Sequence, residues 1–452
     1  MIDTVIIGGK VVTDETVIEA DVAIDDGQIV AVGDETTFAE SVEQIDAANK
    51  LLLPGVVDPH VHFEGDNSVE PYKQGTAAAA LGGVTTALIF AWQSRDSKPW
   101  TTLPEGIAYQ REKAEDSLID FGFHGVITSE KIDPAELDAA LEEDVTSFKL
   151  FTAYEFGVSN GGLEHAFELI ADRDAVALVH TEDPDVCDRR TAQQQANGKT
   201  DPAFYPDARP DHAEAMAADD ALRLAKEASI KYYGVHTSGK ESGDVIEAHR
   251  DDGSLIRAET CTHYTALNRS AYKRDGCLPI MAPPLRTDAD RDKLFEYLKR
   301  GTLEVVSTDH VAFTREQKTS DAWWDAGFGV NGLQRSLPVF HDEAVVRRGY
   351  SYPFLVRAMS TRPAQTFGLE TKGQIAPGYD ADIVVFDPTE TQTVSAKNNA
   401  SISDYTIYEG RELTGAVETT LVRGEVVAQD GEIVADPGHG AYATRRIPNW
   451  NA

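Results

Sequence analysis

Short apolar runs that stop abruptly on a polar group recur along this chain. Leu51-Leu52-Leu53-Pro54-Gly55-Val56-Val57 leads into Asp58-Pro59-His60-Val61-His62, Ala177-Leu178-Val179 into His180, Tyr232-Tyr233-Gly234-Val235 into His236, and Val305-Val306-Ser307-Thr308 into Asp309. A continuous apolar run that ends on a polar residue is how a strand buried on both faces reads. The pattern predicts eight such strands, over 51–57, 85–90, 121–126, 147–151, 176–179, 231–235, 256–258 and 303–307. Acidic, Ala-rich stretches between them, such as 134–143 and 213–227, have helical composition. Alternating strands and helices predict an α/β chain built on a (β/α)8 barrel, in which chemistry gathers at the C-terminal ends of the strands.

The two ends of the chain have a different texture. Val5-Ile6-Ile7, Val11-Val12 and the turn Asp25-Asp26-Gly27 before Ile29-Val30-Ala31-Val32 predict short paired strands. Similar runs return at Ile383-Val384-Val385-Phe386, Thr419-Thr420-Leu421-Val422 and Glu425-Val426-Val427. Both ends are therefore expected to join in one small β-sandwich domain. The expected boundaries are 1–55 and 366–440 for the β-sandwich, 56–365 for the catalytic barrel and 441–452 for a C-terminal tail. The polar, Gln-rich stretch 184–210 is expected to be an excursion on the ligand-bearing face.

Charge changes the picture of the surface. The 41 Lys and Arg against 76 Asp and Glu leave a net charge of −35 over 452 residues. The acids are spread along the chain, in 133–144, 207–220 and 241–252 among other places. Self-repulsion of this size suits a high-salt interior that screens it, so a halophilic protein is expected. Nucleic acid and anionic membranes are unsuitable partners for such a surface. No run approaches the roughly 18 apolar residues of a membrane span. No basic, apolar leader opens the chain, and the three unpaired cysteines fit a reducing compartment, so a cytoplasmic location is expected.

The residues at the strand ends carry the chemistry. Side chains two apart on a strand share a face, so His60 and His62 can meet one ion. His180 and His236 follow at later strand ends, and Asp309 can both bind a cation and carry a proton. Imidazole and carboxylate together suit zinc or a similar divalent ion. Lys149, in Thr146-Ser147-Phe148-Lys149-Leu150-Phe151, is the odd residue of the set. On a buried strand its amine is neutral through a depressed pKa, or carboxylated by CO2 to an anion that can bridge two metals, or it snorkels to the surface. The residues alone leave these three open.

Several motifs taken together resemble the cyclic amidohydrolases, the group that includes dihydropyrimidinase or hydantoinase, allantoinase and dihydroorotase. They are Gly55-Val56-Val57-Asp58-Pro59-His60-Val61-His62-Phe63, Ser147-Phe148-Lys149-Leu150-Phe151-Thr152-Ala153-Tyr154, Pro283-Pro284-Leu285-Arg286, Ser307-Thr308-Asp309-His310, and Gly373-Gln374-Ile375-Ala376-Pro377-Gly378-Tyr379-Asp380-Ala381-Asp382. The resemblance runs from the N-terminal strands to about Val434. It implies a binuclear site with two divalent ions, usually Zn2+. His60, His62 and Asp309 would hold one ion and His180 and His236 the other, with N6-carboxylated Lys149 bridging them. It also implies hydrolysis of a ring amide to an N-carbamoyl product, Asp309 as the proton carrier, and a homo-oligomer, dimer or tetramer.

The substrate is expected to be a small cyclic imide or ureide, a hydantoin or dihydropyrimidine. Tyr154 matches the hydantoinase-type tyrosine that donates to the substrate carbonyl. Asn331, in Gly329-Val330-Asn331-Gly332, resembles the loop position that contacts the ring imide through its backbone. Glu64 stands where dihydroorotases carry an arginine, and is expected to repel a carboxylated ring. Ala282 before Pro283-Pro284, and Thr260-Cys261-Thr262-His263-Tyr264, are similar to allantoinase, which stays the main rival, with dihydroorotase after it. Some relatives of the superfamily are non-catalytic scaffolds that have lost metal ligands. All six expected ligands are present here.

Overall fold

A computed structural model of the chain describes residues 2–34, 41–65, 68–92, 102–250 and 254–450. Met1 and 35–40 of the N-terminal β-rich stretch, 251–252 of the last acidic run named above, and the final two residues of the 441–452 tail lie outside the described residues.

Eight parallel strands form the barrel: β1 Val56–His62, β2 Val84–Trp92, β3 Asp120–Val126, β4 Ser147–Phe151, β5 Val176–His180, β6 Lys231–Gly234, β7 Ile256–Cys261, and β8, which runs in two pieces, Val305–Ser307 and His310–Val311. Each strand pairs with the next in sequence order. The first piece of β8 pairs with β7 and the second with β1, which closes the sheet on itself. Every residue of β1, β4 and β5 is buried, as strands enclosed by a helical layer require. Helices such as Pro134–Glu142, Asn160–Ala171 and Asp211–Ala228 supply that layer.

Two strands differ from the hydrophobic pattern, each for a local reason. The run 51–57 is two strands: Leu51–Pro54 leaves the barrel and pairs with Ile383–Thr393 and Lys10–Val12, and β1 begins after it. Gly55 makes the junction, where a Cβ would lie 2.0 Å from Thr85 Oγ1; no other residue type fits there. The last strand is interrupted at Thr308-Asp309, where Asp309 adopts a φ of 45°.

Strands from both chain ends share the second part of the fold. A seven-stranded sheet places N-terminal Leu51–Pro54, Lys10–Val12 and Val17–Glu19 beside C-terminal Ile383–Thr393, Glu412–Val422, Glu425–Gln429 and Glu432–Ile433. A four-stranded sheet of Ile2–Ile7, Asp21–Asp25, Gln28–Gly33 and Ser41–Asp46 packs with it through Ile6, Val22, Ile24, Leu52, Ile383 and Leu421. This β domain is pinned to the barrel by Lys372, whose ammonium reaches Asp120 of β3 at 2.5 Å and Asp382 at 2.8 Å.

The C-terminal segment continues beneath the barrel, at the N-terminal ends of its strands. Ala443 N donates to Phe121 O at 2.7 Å. Arg445 is buried and donates to Ser147 Oγ at 2.9 Å. Trp450 Nε1 donates to Thr366 O at 3.0 Å. The opposite rim, where the strands end, is left for the site. The 184–210 excursion is helical there: Pro184–Ala196, capped by Asp183, is followed by short turns up to Ala208.

Candidate active site

β1 carries His60 and His62 on one face, two residues apart, and Asp309 reaches them from the break in β8. His60 Nε2 lies 3.0 Å and His62 Nε2 3.4 Å from Asp309 Oδ1. The three residues are buried, and their ligand atoms all lie within 4.8 Å of one another. Three donors of that kind converging on one point could hold a divalent ion.

The far sides of these groups are held in place. His60 Nδ1 is 2.5 Å from Glu259 Oε1, and the same carboxylate accepts from the Tyr233 hydroxyl at 2.8 Å and from His236 N at 3.1 Å. Asp58 accepts from His60 N at 3.1 Å and from Thr308 N at 3.3 Å, so it ties β1 to the break in β8. A carboxylate behind a ligating histidine sets its tautomer and ring orientation.

A second group stands beside the first. His180 Nδ1 and His236 Nε2 are 2.8 Å apart. His180 Nε2 lies 2.9 Å from Glu182 Oε2, which also accepts from Arg209 Nη1 at 2.5 Å. Lys149, from β4, is 1 % exposed and lines the same cavity as both groups. Its ammonium nitrogen lies 5.2 Å from the Phe90 ring centroid and 5.0 Å from that of Phe151.

Electrostatics follow from burial and neighbours. Burial drives the Lys149 amine down to about 7, with Asp309 and Glu259 opposing. Burial also lowers His180 and drives His236 well down, leaving neutral imidazoles, the form that binds metal. Burial works against charge on His60 too, but Asp309 and Glu259 raise it to about 9. Burial would raise Asp309, yet the His60 charge and hydrogen bonds from His60 and His62 hold it well below the ordinary carboxylate range. The two carboxylates facing His60 create a negative environment that a bound cation would share.

The backbone is strained where these groups emerge. His236, Asp309 and Tyr154 adopt φ of 39°, 45° and 73°. Such left-handed conformations cost non-glycine residues about 1–3 kcal/mol and persist where the surroundings over-determine them.

The site opens into a cavity of about 380 Å³ lined by the five metal-site residues of the two groups, Lys149, Tyr154, Arg209, Ala282 and Gly329, with Phe151, Phe156, Met281, Val311, Phe313 and Phe328 as the apolar wall. Tyr154 and Ala282 thus stand in the wall with the expected ligands. Asn331 and Glu64 do not. Asn331 is buried behind the wall, donating through Nδ2 to Tyr405 O at 3.0 Å, and Gly329 takes its place at the cavity. Glu64 turns away after the end of β1, with a φ of 43° and its carbonyl accepting from Gln110 Nε2 at 2.9 Å. The exclusion of a carboxylated ring therefore loses its basis in Glu64. Arg209 is the sole guanidinium among the described wall residues, and it is paired with Glu182.

Glu259, Glu182 and Arg209 have no supporting role in the sequence reading, and Asp58 enters it only as part of the motif around His60 and His62. Glu182 and Asp58 had a visible signal, an acid within or beside an apolar strand that ends in a ligand, and Glu259 had a weaker one, an acid inside a buried strand. Arg209 had none, because the excursion that delivers it gives no local sign of where it points.

Comparison with known proteins shows the family. The amidohydrolase family model matches residues 51–427, so the chain belongs to the amidohydrolase family, whose members are metal-dependent hydrolases. The D-hydantoinase of Streptomyces coelicolor is 37% identical over 463 residues, covering 98% of each chain. The L-hydantoinase of Paenarthrobacter aurescens is 30% identical over 458 residues, covering 99% of each. The crystal structure of dihydropyrimidinase from Brevibacillus agri superposes with a TM-score of 0.94 at 31% identity, covering 99% of each chain.

Proposed function

We propose that this chain is a cyclic amidohydrolase that opens a hydantoin or dihydropyrimidine ring at an amide C–N bond and releases an N-carbamoyl product. The observation that carries the reading is the convergence of His60, His62 and Asp309 with His180, His236 and Lys149 at one cavity. Nitrogen and oxygen donors of this kind suit two divalent ions, with Zn2+ the natural choice. His60, His62 and Asp309 would hold one, His180 and His236 the other, and N6-carboxylated Lys149 both. An amine lowered to about 7 has the free lone pair that reaction with CO2 needs. Bound there, the ions would supply a water of lowered pKa and polarise the substrate carbonyl.

The chain's own residues account for the remaining steps. Tyr154 stands at the cavity wall to donate its hydroxyl to the carbonyl oxygen as charge develops on it. Asp309, held anionic, takes the proton of the water that adds to the carbonyl carbon. It passes that proton to the ring nitrogen as the C–N bond breaks. The ring nitrogen leaves as part of the ureido group, and the carbonyl carbon becomes a carboxylate. Phe151, Phe156 and Phe328 give the cavity in which this exchange takes place an apolar side.

The surroundings of the reaction complete the proposal. A net charge of −35 disfavours nucleic acid and anionic membrane surfaces. No helix among the described residues is long and apolar enough to cross a membrane. The three cysteines are free and buried, which fits a cytoplasmic protein, and a homo-oligomer, dimer or tetramer, is the proposed assembly. The test is one panel: purified enzyme loaded with zinc and bicarbonate in high salt, against dihydrouracil, hydantoin, allantoin and dihydroorotate. Turnover of hydantoin or dihydrouracil is expected. Exclusive turnover of allantoin, the reading that Ala282 in the wall favours, would move the substrate and keep the mechanism. Exclusive turnover of dihydroorotate, or no turnover at full metal content, would overturn the proposal.

A further inference from the structure

One side of the cavity is built from two separate loops, Met281-Ala282 and Phe328-Gly329. Behind both lies Lys318, the last residue of the short helix Arg315–Lys318, with 0 % exposure. Its Nζ donates to the carbonyl oxygens of Ile280 at 2.5 Å, Gly327 at 2.6 Å and Gly329 at 2.8 Å. An ammonium has three N–H donors and no acceptor, so these three carbonyls use it completely. Ile280 O also accepts from Gly329 N at 3.0 Å, which ties the two loops to each other at the same point.

Each acceptor belongs to the wall or adjoins it. Ile280 precedes Met281, Gly327 precedes Phe328, and Gly329 lines the cavity itself. The fit is tight on the other side as well: a Cβ on Gly329 would lie 2.5 Å from Val311 Cβ. Neutral carbonyls, not carboxylates, surround the charge. Burial pushes the Lys318 amine down from its ordinary range, but three carbonyls converging on one nitrogen favour the ammonium, because a neutral amine lacks the third N–H. An apolar side chain would leave the Gly327 and Gly329 carbonyls without this donor. The ammonium thus gives these carbonyls their donor and, through them, fixes the separation between the two loops.

We propose that Lys318 is a positioning residue for substrate recognition, fixing the backbones of 280–282 and 327–329 so that the wall they form matches a planar ring. This rests on the reading of the cavity as the cyclic-amide site. A ring amide offers flat edges of donors and acceptors, and backbone groups recognise it well when they cannot move apart. A displacement of about 1 Å in such a wall can cost up to about a hundredfold in rate. Lys318 touches none of the metal-site residues through these bonds, so its loss should weaken ring binding without removing metal.

The experiment compares wild type with Lys318→Met, and with the milder Lys318→Gln, which keeps two donors. All three are metal-loaded, and the readouts are metal content, KM and kcat on the ring the wild type opens fastest, and amide hydrogen exchange. The expected result is wild-type metal content, a KM raised about tenfold or more with a smaller change in kcat, and faster exchange confined to 280–282 and 327–330. The Gln variant should fall between, and it carries the comparison if the Met variant does not fold. Unchanged KM together with unchanged exchange in these loops would overturn the proposal. So would exchange rising evenly through the barrel at constant KM, the mark of a merely structural lysine. If wild type opens no ring, the cyclic-amide reading fails, and exchange judges the clamp alone: local loss of protection supports it, and none refutes it.

Discussion

His180 Nδ1 faces His236 Nε2 at 2.8 Å while its other nitrogen is held 2.9 Å from Glu182 Oε2. With the Nε2 proton given to that carboxylate, Nδ1 presents a lone pair to the space that both rings share. Glu182 is in turn fixed by Arg209 at 2.5 Å. The orientation of one proposed ligand thus depends on a residue of the 184–210 excursion, far away in sequence.

Weakening that carboxylate should therefore loosen the second ion. Glu182→Gln keeps the shape but no longer stabilises the donated proton as strongly. We expect affinity for the second equivalent of zinc to fall by about 10–100-fold, with the first equivalent little changed. Competitive zinc titration of the apoprotein reads both. Equal loss at both equivalents would mean that Glu182 supports the fold and does not tune His180.

Lys149 and Asp309 separate holding metal from moving a proton. Lys149→Ala should lose the group proposed to join the two ions, with most of the metal and about a thousandfold or more of turnover, and small carboxylic acids should restore part of it. Full metal and full activity in that variant would reject carboxylation. Asp309→Asn should leave thermal stability nearly intact and collapse kcat, because an amide cannot shuttle the proton. Retained kcat in a metal-loaded Asp309→Asn enzyme would remove Asp309 from the proton path.

A stability prediction concerns the join between the barrel and the β domain. Lys372 is buried among Asp120, Asp380 and Asp382, at 2.5, 3.0 and 2.8 Å. Burial opposes its charge, but these carboxylates win and raise its pKa above the ordinary 10.5. Because the folded value exceeds the unfolded one, the contribution is complete below pH 10.5 and fades as pH rises through the folded value. Lys372→Met leaves Asp380 and Asp382 without this cation, while Asp120 keeps Arg423, and should cost about 3–5 kcal/mol in urea unfolding at pH 7. The gap to wild type should narrow above pH 10.5. A gap that held constant into strong alkali would place the loss in packing, not in the charge.

The legible parts of this molecule were those where one strand both buries itself and ends on a ligand. Val56-Val57 before His60 and His62, and Ala177-Leu178-Val179 before His180, reveal element and site at once, because burial on both faces leaves the terminal polar residue as the exception. The reading failed where geometry depends on something outside the strand. Leu51–Pro54 reads like the start of β1, and only the absence of a Cβ at Gly55, pressed against Thr85, sends it to the other domain. The loop of Asn331 does form the wall, through Gly329, while the donation of the Asn331 side chain to the Tyr405 carbonyl has no sign in the sequence. Lys318 and Arg209 had no periodicity to betray them. Their partners lie in other loops.

The surface supplies the last prediction. Seventy-six acids against 41 bases repel one another at low ionic strength, and pairing every base would still leave the net charge of −35. Even acids that hold a basic partner stay open to solvent: the side chains of Asp174 and Asp138, paired with Lys231 and Arg173, are 74 and 60 % exposed. At about 0.1 M salt the screening length is about 10 Å, long enough to couple neighbouring acids; at about 1 M it is about 3 Å, and the repulsion is largely removed. We expect the melting temperature to rise steadily between about 0.1 and 2 M KCl, with the lower-salt protein also the more readily unfolded by urea. Sedimentation at both salt concentrations distinguishes this from dissociation of subunits, which would lower the mass as well as the melting point. A melting temperature that stays flat across that range at constant mass would reject halophilic adaptation and leave the acidic surface without a stabilising role in salt.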